Sequence, residues 1–182
     1  MKTSIILKGE NTTLRQITLE DCTPKYVSWL NDQKVNNFLE TRHYKQNLNS
    51  IRDFVKSQIE NNHSFLFAII YKSEHVGNIK LGPINPHHNH ADVSYFIGEK
   101  ECWGKGIATE SIHLICNFAF EELNLHRLEA GAYSEAVGSW KALEKNGFKR
   151  EAIFREQVLS DDKYMDVYRY GLLKNEYKNW RE

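Results

Sequence analysis

The chain has 182 residues, and its 24 Lys and Arg residues balance its 24 Asp and Glu residues, so the formal net charge is zero. Such a surface has no strong field to attract nucleic acid or an anionic membrane, and no apolar run approaches membrane-spanning length. Three cysteines in no paired spacing favour reduced thiols and a cytoplasmic location. We therefore expect residues 1–182 to form a single domain that acts without nucleic acid or a membrane.

The first third of the chain changes from strand-like to helical patterning. Its predicted elements are strands over 5–7 and 12–17 and helices over 18–32, 33–39 and 48–62. Thr18 is the predicted N-cap of the first helix, which places Pro24 near the helix start. Residues 40–46 are predicted to form a loop.

From residue 65 onwards the apolar period becomes that of strands. The predicted elements are strands over 65–71, 76–81, 92–98, 127–133, 148–158 and 164–173, and helices over 107–123 and 139–145. Pro83 and Pro86 interrupt the chain before the third of these strands, and the last hairpin turns at residues 160–162. This order matches neither alternating parallel units nor an all-β pattern. We predict an α+β (mixed α/β) fold, with a mostly antiparallel twisted sheet of about seven strands and helices on both faces.

The loop between the 92–98 strand and the 107–123 helix contains Gly104 and Gly106. Glycine permits a tight turn and keeps side chains away from an approaching ligand, and the next residues open a helix at its positive end. Such a loop suits a diphosphate, to which Lys105 and Thr109 can add a charge and a hydroxyl. The spacing differs from a P-loop and from a dinucleotide fingerprint. Taken alone, it is equally typical of an ordinary strand-to-helix turn.

Two separated motifs resemble one family. The run Gly104-x-Gly106-x-Ala108 resembles the coenzyme A pyrophosphate loop of the GNAT acetyltransferase superfamily, and Ser139-x-x-x-x-Glu144-Lys-Asn-Gly-Phe148 is similar to a turn in the second half of that superfamily. The spacing of the two is close to the Rim-type branch of ribosomal-protein N-acetyltransferases, and the resemblance spans residues 12–174. Close relatives of that branch act on nucleotide-linked amino sugars. Dimers occur in the branch, so the resemblance leaves both a monomer and a homodimer open.

The resemblance implies acetyl transfer from acetyl-CoA to a primary amine by direct attack on the thioester. The pantetheine arm is then expected to pair with the 92–98 strand, a main-chain N–H near Phe96 or Ile97 to meet the oxyanion, and Ser139 to bond the thiol end. Ser139 is equally well explained as a helix cap. The implied coenzyme A contacts are Phe96, Ile97, Gly98, Trp103, Gly104, Lys105, Gly106, Ile107, Ala108, Thr109 and Ser139.

Three carboxylates are candidates for deprotonating the amine. An ammonium of pKa about 10 loses its proton at neutral pH at a cost of roughly 4 kcal/mol, which a nearby carboxylate lowers. Asp92, at the start of the thioester-holding strand, is the first candidate, although a solvated Asp at a strand start is a common alternative. Glu40, on the loop expected to wall the acceptor cleft, is the second. Glu129 is the third, although strand alternation can turn it away.

The acceptor side is predicted from residues expected near the cleft. These are Trp29, Asn31, Arg42, Tyr44 and His90, although aromatic residues at helical spacing are also typical of a core. A protein N-terminus is one acceptor, and a nucleotide-linked amino sugar, whose phosphate would suit Arg42, or another small amine is the alternative. The histidines at 87, 88 and 90 have no evident fourth ligand or cysteine pair, so we expect no metal.

Two positions depart from the family pattern. Leu143 stands where the superfamily often has a Tyr that protonates the departing thiolate, and Ala136 stands where the branch commonly has Asn. These departures leave open a module that binds acyl-CoA without transferring anything. A thiol of reference pKa about 8.5 is nevertheless a tolerable leaving group as thiolate. We therefore expect an enzyme.

Overall fold

A computed structural model describes residues 5–160 and 162–179, which contain one eight-stranded sheet. Its order is β1-β2-β3-β4-β5-β6-β8-β7, with every neighbouring pair antiparallel except β5 and β6. The strands are β1 (Ile6–Lys8), β2 (Thr12–Gln16), β3 (Phe65–Tyr71), β4 (Glu74–Asn85), β5 (His90–Ile97), β6 (Arg127–Tyr133), β7 (Lys149–Ser160) and β8 (Lys163–Leu173). The predicted mostly antiparallel sheet is confirmed, with eight strands instead of about seven.

Helices cover both faces of the sheet, as predicted. They are α1 (Pro24–Asn31), α2 (Gln33–Asn36), α3 (Leu48–Glu60), α4 (Ile107–Asn117) and α5 (Val137–Lys145). One buried cluster joins α4 and α5 to the sheet, and a second joins α1 and α3 to it. Adjacent residues of β3 divide between them, with Phe67 in the first cluster and Leu66 in the second, because alternate strand residues face opposite sides. No helix within the described ranges has the length and apolar character needed to cross a bilayer.

The predicted start of the first helix is wrong. Thr18 opens a 3₁₀ turn, Leu19–Asp21, and α1 begins only at Pro24 with Thr23 as its N-cap. The Asp21 carboxylate is the cause, because it accepts two hydrogen bonds from the Arg15 guanidinium on β2, at 2.6 and 3.0 Å. This pair holds the turn against the sheet, so the chain cannot continue directly as a helix.

Other boundaries also differ from the sequence prediction, three of them by more than two residues. β4 runs through Pro83, which lies at a register shift between Leu81 and Ile84, where proline breaks no ladder bond. The helix predicted over 33–39 ends at Asn36, and the predicted 107–123 helix changes to a π-helical turn at Phe118–Glu122. In the predicted turn at 160–162, position 161 lies outside the described residues.

The parallel strands β5 and β6 separate soon after they begin. Their register contains His90↔Arg127, Ala91↔Leu128 and Asp92↔Glu129, and it ends there. Beyond this point β5 stays paired with β4 as far as Ile97, and β6 stays paired with β8 as far as Tyr133. The edges of residues 93–97 and 130–133 that face each other therefore have main-chain groups that the sheet does not use. We call this opening the β5–β6 groove.

Candidate active site

The loop after β5 is built on two glycines in the left-handed region. Gly104 has φ +75° and Gly106 has φ +78°, and a Cβ added at either would meet no atom within 4 Å. Gly106 is the N-cap of α4, and its carbonyl oxygen accepts the first helical hydrogen bond from the N–H of Glu110, at 2.9 Å. The earlier N–H groups of the first turn have no intrahelical acceptor. The loop thus needs glycine for its conformation and presents an open, electropositive helix start.

A cleft of about 650 Å³ lies beside this loop, and Lys105, Thr109 and Lys145 form part of its lining. The β1–β2 turn bounds the cleft, because the Glu110 carboxylate accepts hydrogen bonds from the main-chain N–H groups of Glu10 and Asn11. Lysine ammonium groups beside free helix N–H groups suit a phosphate-bearing ligand. The residues present therefore fit the diphosphate part of coenzyme A.

Other predicted coenzyme A contacts have structural partners of their own. The Trp103 indole N–H donates to the Ile97 carbonyl at 2.9 Å, which closes the loop back onto β5. Gly98 is buried, and a Cβ there would overlap the Trp29 ring. The side chain of Ile107 is also buried in the core. These last two residues can offer a ligand only their main chain.

Ser139 and Tyr95 meet across the β5–β6 groove. The Tyr95 hydroxyl lies 2.8 Å from the Ser139 carbonyl oxygen and 3.0 Å from its Oγ. Burial raises the pKa of Tyr95 above its ordinary value, so the phenol stays protonated. The two positions that depart from the family pattern offer no polar group here, because Leu143 and Ala136 are both buried apolar residues.

Asp92 and Glu129 form the last register pair before β5 and β6 separate. Side chains of paired residues lie on the same face of a sheet, so Glu129 is not turned away from Asp92. The Nη2 atom of Arg169 on β8 lies between them, 3.6 Å from Asp92 Oδ1 and 3.5 Å from Glu129 Oε2. The structure thus groups two carboxylates and one guanidinium at the closed end of the groove.

The charge network extends along the same face toward β7. Arg127 donates to Glu129 at 3.0 Å and to Glu151 at 2.5 and 2.8 Å, so the charges alternate in sign. Glycines make room for it: a Cβ at Gly131 would lie 3.0 Å from Arg169 Nη1, and one at Gly171 would lie 2.6 Å from Arg127 Nη1. Small residues at these two positions therefore permit the network.

Glu40 and Arg42 lie at the opposite end of β6. The Tyr133 hydroxyl donates to the Glu40 carboxylate and accepts from Arg42 Nη1 at 2.9 Å. Arg42 also donates to the carbonyls of Leu39 at 3.0 Å and Leu159 at 3.3 Å. Its predicted role at a phosphate is thus not supported, since its guanidinium ties the 40–43 loop to β6 and to the β7–β8 hairpin. Tyr133, the partner of Glu40, lies four residues along β6 from Glu129, a main-chain separation of roughly 13 Å.

Of the remaining predicted acceptor residues, Asn31 lines the same cavity as Arg42, and Trp29, Tyr44 and His90 do not. Trp29 is a core residue, 4 % exposed, with its indole N–H bonded to Glu99 at 2.9 Å, so its predicted place in a cleft is wrong. The Asn31 side chain exchanges two hydrogen bonds with the main chain of Gln46, both 2.9 Å, and serves as a clip. Tyr44 is 75 % exposed. His90 lies on the same face as Asp92, two residues earlier, and its Nδ1 is buried without a hydrogen-bond partner in the described structure.

The histidine cluster forms a turn. The main-chain N–H groups of His87 and His88 both donate to the Asn85 side chain, at 3.0 and 3.1 Å. Among residues 5–160 and 162–179, no group of three or more His, Cys, Asp or Glu side chains is arranged to hold a metal ion.

Three residues of this region were not identified from the sequence, namely Tyr95, Tyr133 and Arg169. Each has a partner far along the chain, as shown by the separation of 44 positions between Tyr95 and Ser139. Alternation along a strand indicates which face of the sheet each side chain occupies, but strand register determines which residues that side chain contacts.

Comparison with known proteins agrees with this geometry. The family model described as an acetyltransferase (GNAT) domain matches residues 11–149. The uncharacterized N-acetyltransferase p20 of Bacillus licheniformis is 30% identical over 178 residues, covering 94% of this chain and 97% of that protein. The spermidine N-acetyltransferase of Vibrio cholerae, in complex with CoA and spermine, has a TM-score of 0.84 and 23% identity over 93% of this chain and 99% of its own.

The ribosomal alpha-N-protein acetyltransferase RimL, in complex with coenzyme A, has the same TM-score of 0.84 at 17% identity, over 93% of this chain and 98% of its own. At these identities the two structures establish the shared fold. The family model covers well over half of the chain, and the relative from B. licheniformis matches along nearly its full length. The chain therefore belongs to the GNAT family of N-acetyltransferases.

Proposed function

We propose that this protein transfers the acetyl group of acetyl-CoA to the α-amine of a polypeptide N-terminus. The observation that carries the proposal is the separation of β5 and β6 immediately beyond the Asp92–Glu129 pair, with the glycine loop at the end of β5. A groove with free main-chain groups then runs between an anion-binding loop and two carboxylates. An extended acyl-pantetheine with a diphosphate at one end fits these features in that order.

The acetyl-CoA half of the site is mostly main chain. The diphosphate is held by the first-turn N–H groups of α4, with charge from Lys105, and the pantetheine lies along the free edge of residues 93–97. N–H groups near Phe96 or Ile97 are donors for the thioester oxygen as it becomes an oxyanion. Backbone donors fixed by the β4–β5 ladder need little reorganisation when that charge develops.

Asp92 is assigned as the base that receives the ammonium proton. It stands at the closed end of the groove, and Arg169 lies beyond hydrogen-bond distance of it, so its oxygens keep acceptor capacity for an incoming ammonium. The neutral amine attacks the acetyl carbon, the C–S bond breaks with its electron pair going to sulfur, and the second nitrogen proton is lost to water, which leaves a neutral amide and the coenzyme A thiolate. Arg169 and Glu129 place one positive and one negative charge beside Asp92.

The charges of the site favour an acceptor with one ammonium group. Two guanidinium groups, those of Arg127 and Arg169, lie beside three carboxylates, those of Asp92, Glu129 and Glu151, so this group has one net negative charge, which suits one ammonium rather than the several charges of a polyamine. A nucleotide-linked sugar needs a free guanidinium group to bind its diphosphate, whereas the Arg42 guanidinium already donates hydrogen bonds to two carbonyls and a hydroxyl. A peptide N-terminus brings one ammonium and an extended backbone that can bond to a strand edge.

Release of coenzyme A tests the acceptor class directly. The purified protein is incubated with acetyl-CoA and one of three amines: a peptide with N-terminal Ala or Ser, a nucleotide-linked 4-amino sugar, or spermidine. We expect the peptide to be preferred. Preference for another amine would refute the acceptor assignment. Tight acetyl-CoA binding without transfer to any amine would instead support a non-catalytic module.

Replacing Asp92 with Asn tests the base. We expect kcat/KM to fall by about 100-fold or more, the usual size of a lost general base, with acetyl-CoA affinity unchanged. Glu129→Gln is the matched control, because it removes the neighbouring charge and is expected to cost less than about tenfold. An Asp92→Asn variant that keeps turnover within a few-fold of the parent would exclude Asp92 as the base.

A further inference from the structure

Tyr95 connects the two sides of the β5–β6 groove. It projects from the part of β5 that has already left β6, and its hydroxyl reaches Ser139 at the start of α5, the helix that follows β6. The contact lies on the face opposite Asp92, since residues 92 and 95 are an odd number of positions apart. A groove ligand therefore has the carboxylates on one face and the Tyr95–Ser139 pair on the other.

The hydrogen-bond directions of this pair are determined by its atoms. A carbonyl oxygen cannot donate, so the single Tyr95 proton goes to the Ser139 carbonyl, at 2.8 Å. The 3.0 Å contact between the hydroxyls must then be donated by Ser139 Oγ. The Tyr95 bond to the carbonyl fixes the Ser139 backbone, and the serine hydroxyl remains able to rotate to a better acceptor.

The position that usually holds the proton donor to sulfur gives no donor here. Leu143 lies in the last turn of α5 and is fully buried in the core, so no hydroxyl enters the groove from that helix turn. Ser139 lies one helical turn earlier on the same helix and is half-buried. Ser139 is the only hydroxyl residue of α5, and its contact with Tyr95 links it to the free edge of β5.

We propose that Tyr95 is a positioning residue, which holds Ser139 so that the serine hydroxyl donates a hydrogen bond to the departing coenzyme A thiolate. This inference rests on the proposed transferase function. When the C–S bond breaks, its electron pair moves to sulfur, and a thiolate is a stronger acceptor than a neutral phenol. The Ser139 O–H then turns from Tyr95 to sulfur. The serine keeps its proton, and coenzyme A takes its own from water.

The thiol titration of bound coenzyme A tests the proposal without any acceptor. Thiolate formation is followed by ultraviolet absorbance, as a difference between the coenzyme A complex and the free protein. We expect the thiol to titrate about one pH unit lower in the parent complex than in Ser139→Ala or Tyr95→Phe, as one charge-assisted bond predicts. Equal titration in the three proteins would overturn the proposal.

Kinetics give a second and independent readout. Tyr95→Phe is expected to lower kcat roughly three- to tenfold with an unchanged dissociation constant for acetyl-CoA, and to add nothing further in a Ser139→Ala background. Additive losses in the double variant would refute a shared pathway. Tyr170→Phe is the matched control. The Tyr170 hydroxyl also donates to a residue of α5, at 2.9 Å from Glu144 Oε1, but Tyr170 is a buried core residue. This variant should change neither kcat nor the titration.

These two experiments separate the two ideas. If the parent transfers acetyl to no amine, the proposed function fails, while the thiol titration still tests the Tyr95–Ser139 donor. If the parent is active and Tyr95→Phe matches it in kcat and in thiol titration, the transferase assignment stands and the positioning role is excluded.

Discussion

Replacing Gly106 with alanine separates the loop's structural cost from its role in binding. The residue has φ +78° and ψ 0°, a conformation that costs a non-glycine residue about 1–2 kcal/mol. An added Cβ meets nothing within 4 Å, so this backbone term is the whole structural cost. For a chain of this length we expect the melting temperature to fall by about 2–8 °C.

The effect on acetyl-CoA binding should be larger. The new methyl group would stand in the open space beside the first turn of α4, where a phosphate approaches the free N–H groups. Losing one charge-assisted hydrogen bond, about 1.5–3 kcal/mol, weakens binding by about 10- to 100-fold. Calorimetric titration with acetyl-CoA measures this change, and a thermal melt of the same sample measures stability.

Gly147→Ala is the matched control. Gly147 follows α5 with φ +86°, and its nearest neighbour to an added Cβ is Leu172 Cδ1 at 3.6 Å, an ordinary contact. It therefore has the same backbone cost at a position outside the loop, and should lose stability while keeping full acetyl-CoA affinity. If Gly106→Ala binds acetyl-CoA as tightly as Gly147→Ala, the assignment of the loop to the diphosphate is refuted.

Two further predictions concern packing and pH. Gly98→Ala places a methyl group inside the Trp29 ring and should lower the free energy of unfolding by about 1–3 kcal/mol. Gly138→Ala adds a methyl group in open space on α5 and should raise the free energy of unfolding by about 0.5–1 kcal/mol. Urea denaturation measures both changes, and changes of the same sign would contradict this reasoning. Burial lowers the pKa of His75, whose Nε2 lies 2.7 Å from Asn78 Oδ1, below the ordinary 6.5. Its folded form is therefore neutral, and its contribution to stability is complete above pH 6.5 and decreases as the unfolded chain takes up a proton below that value. His75→Gln should thus flatten the pH dependence of urea denaturation between about pH 7 and 5, and an unchanged slope would exclude this role.

Features that depend on neighbouring residues were predictable from the sequence. β6 and the strand at 65–71 were predicted with the bounds the structure has, because residues 65–71 are an uninterrupted apolar run between polar turn residues and β6 alternates buried with more exposed positions. The glycine loop was also predictable from neighbouring residues, since a positive φ favours glycine and both Gly104 and Gly106 have one.

Features that depend on strand register or on partners distant in sequence could not be predicted from the sequence. Helical spacing is identical for a core residue and for a cleft residue, so it could not tell that Trp29 is buried. Arg42 belongs to a polar loop in the sequence, but its partner Tyr133 lies 91 positions away. Likewise, nothing local indicates that Asp92 and Glu129 are paired, because that depends on how far β5 and β6 stay in register.

The end of the β5–β6 pairing and the position of the carboxylates have a common physical basis. Like charges directly opposite each other destabilise a strand pair, and Asp92 and Glu129 are directly opposite at the last pair. Arg169 offsets their repulsion at that pair, and beyond it β6 presents the small residues Ala130 to Ala132, which offer little side-chain contact across strands. The sheet therefore stays closed where the guanidinium compensates the carboxylates and opens directly beyond them. On the proposed mechanism, this places the proton acceptor at the inner end of the groove that receives the thioester.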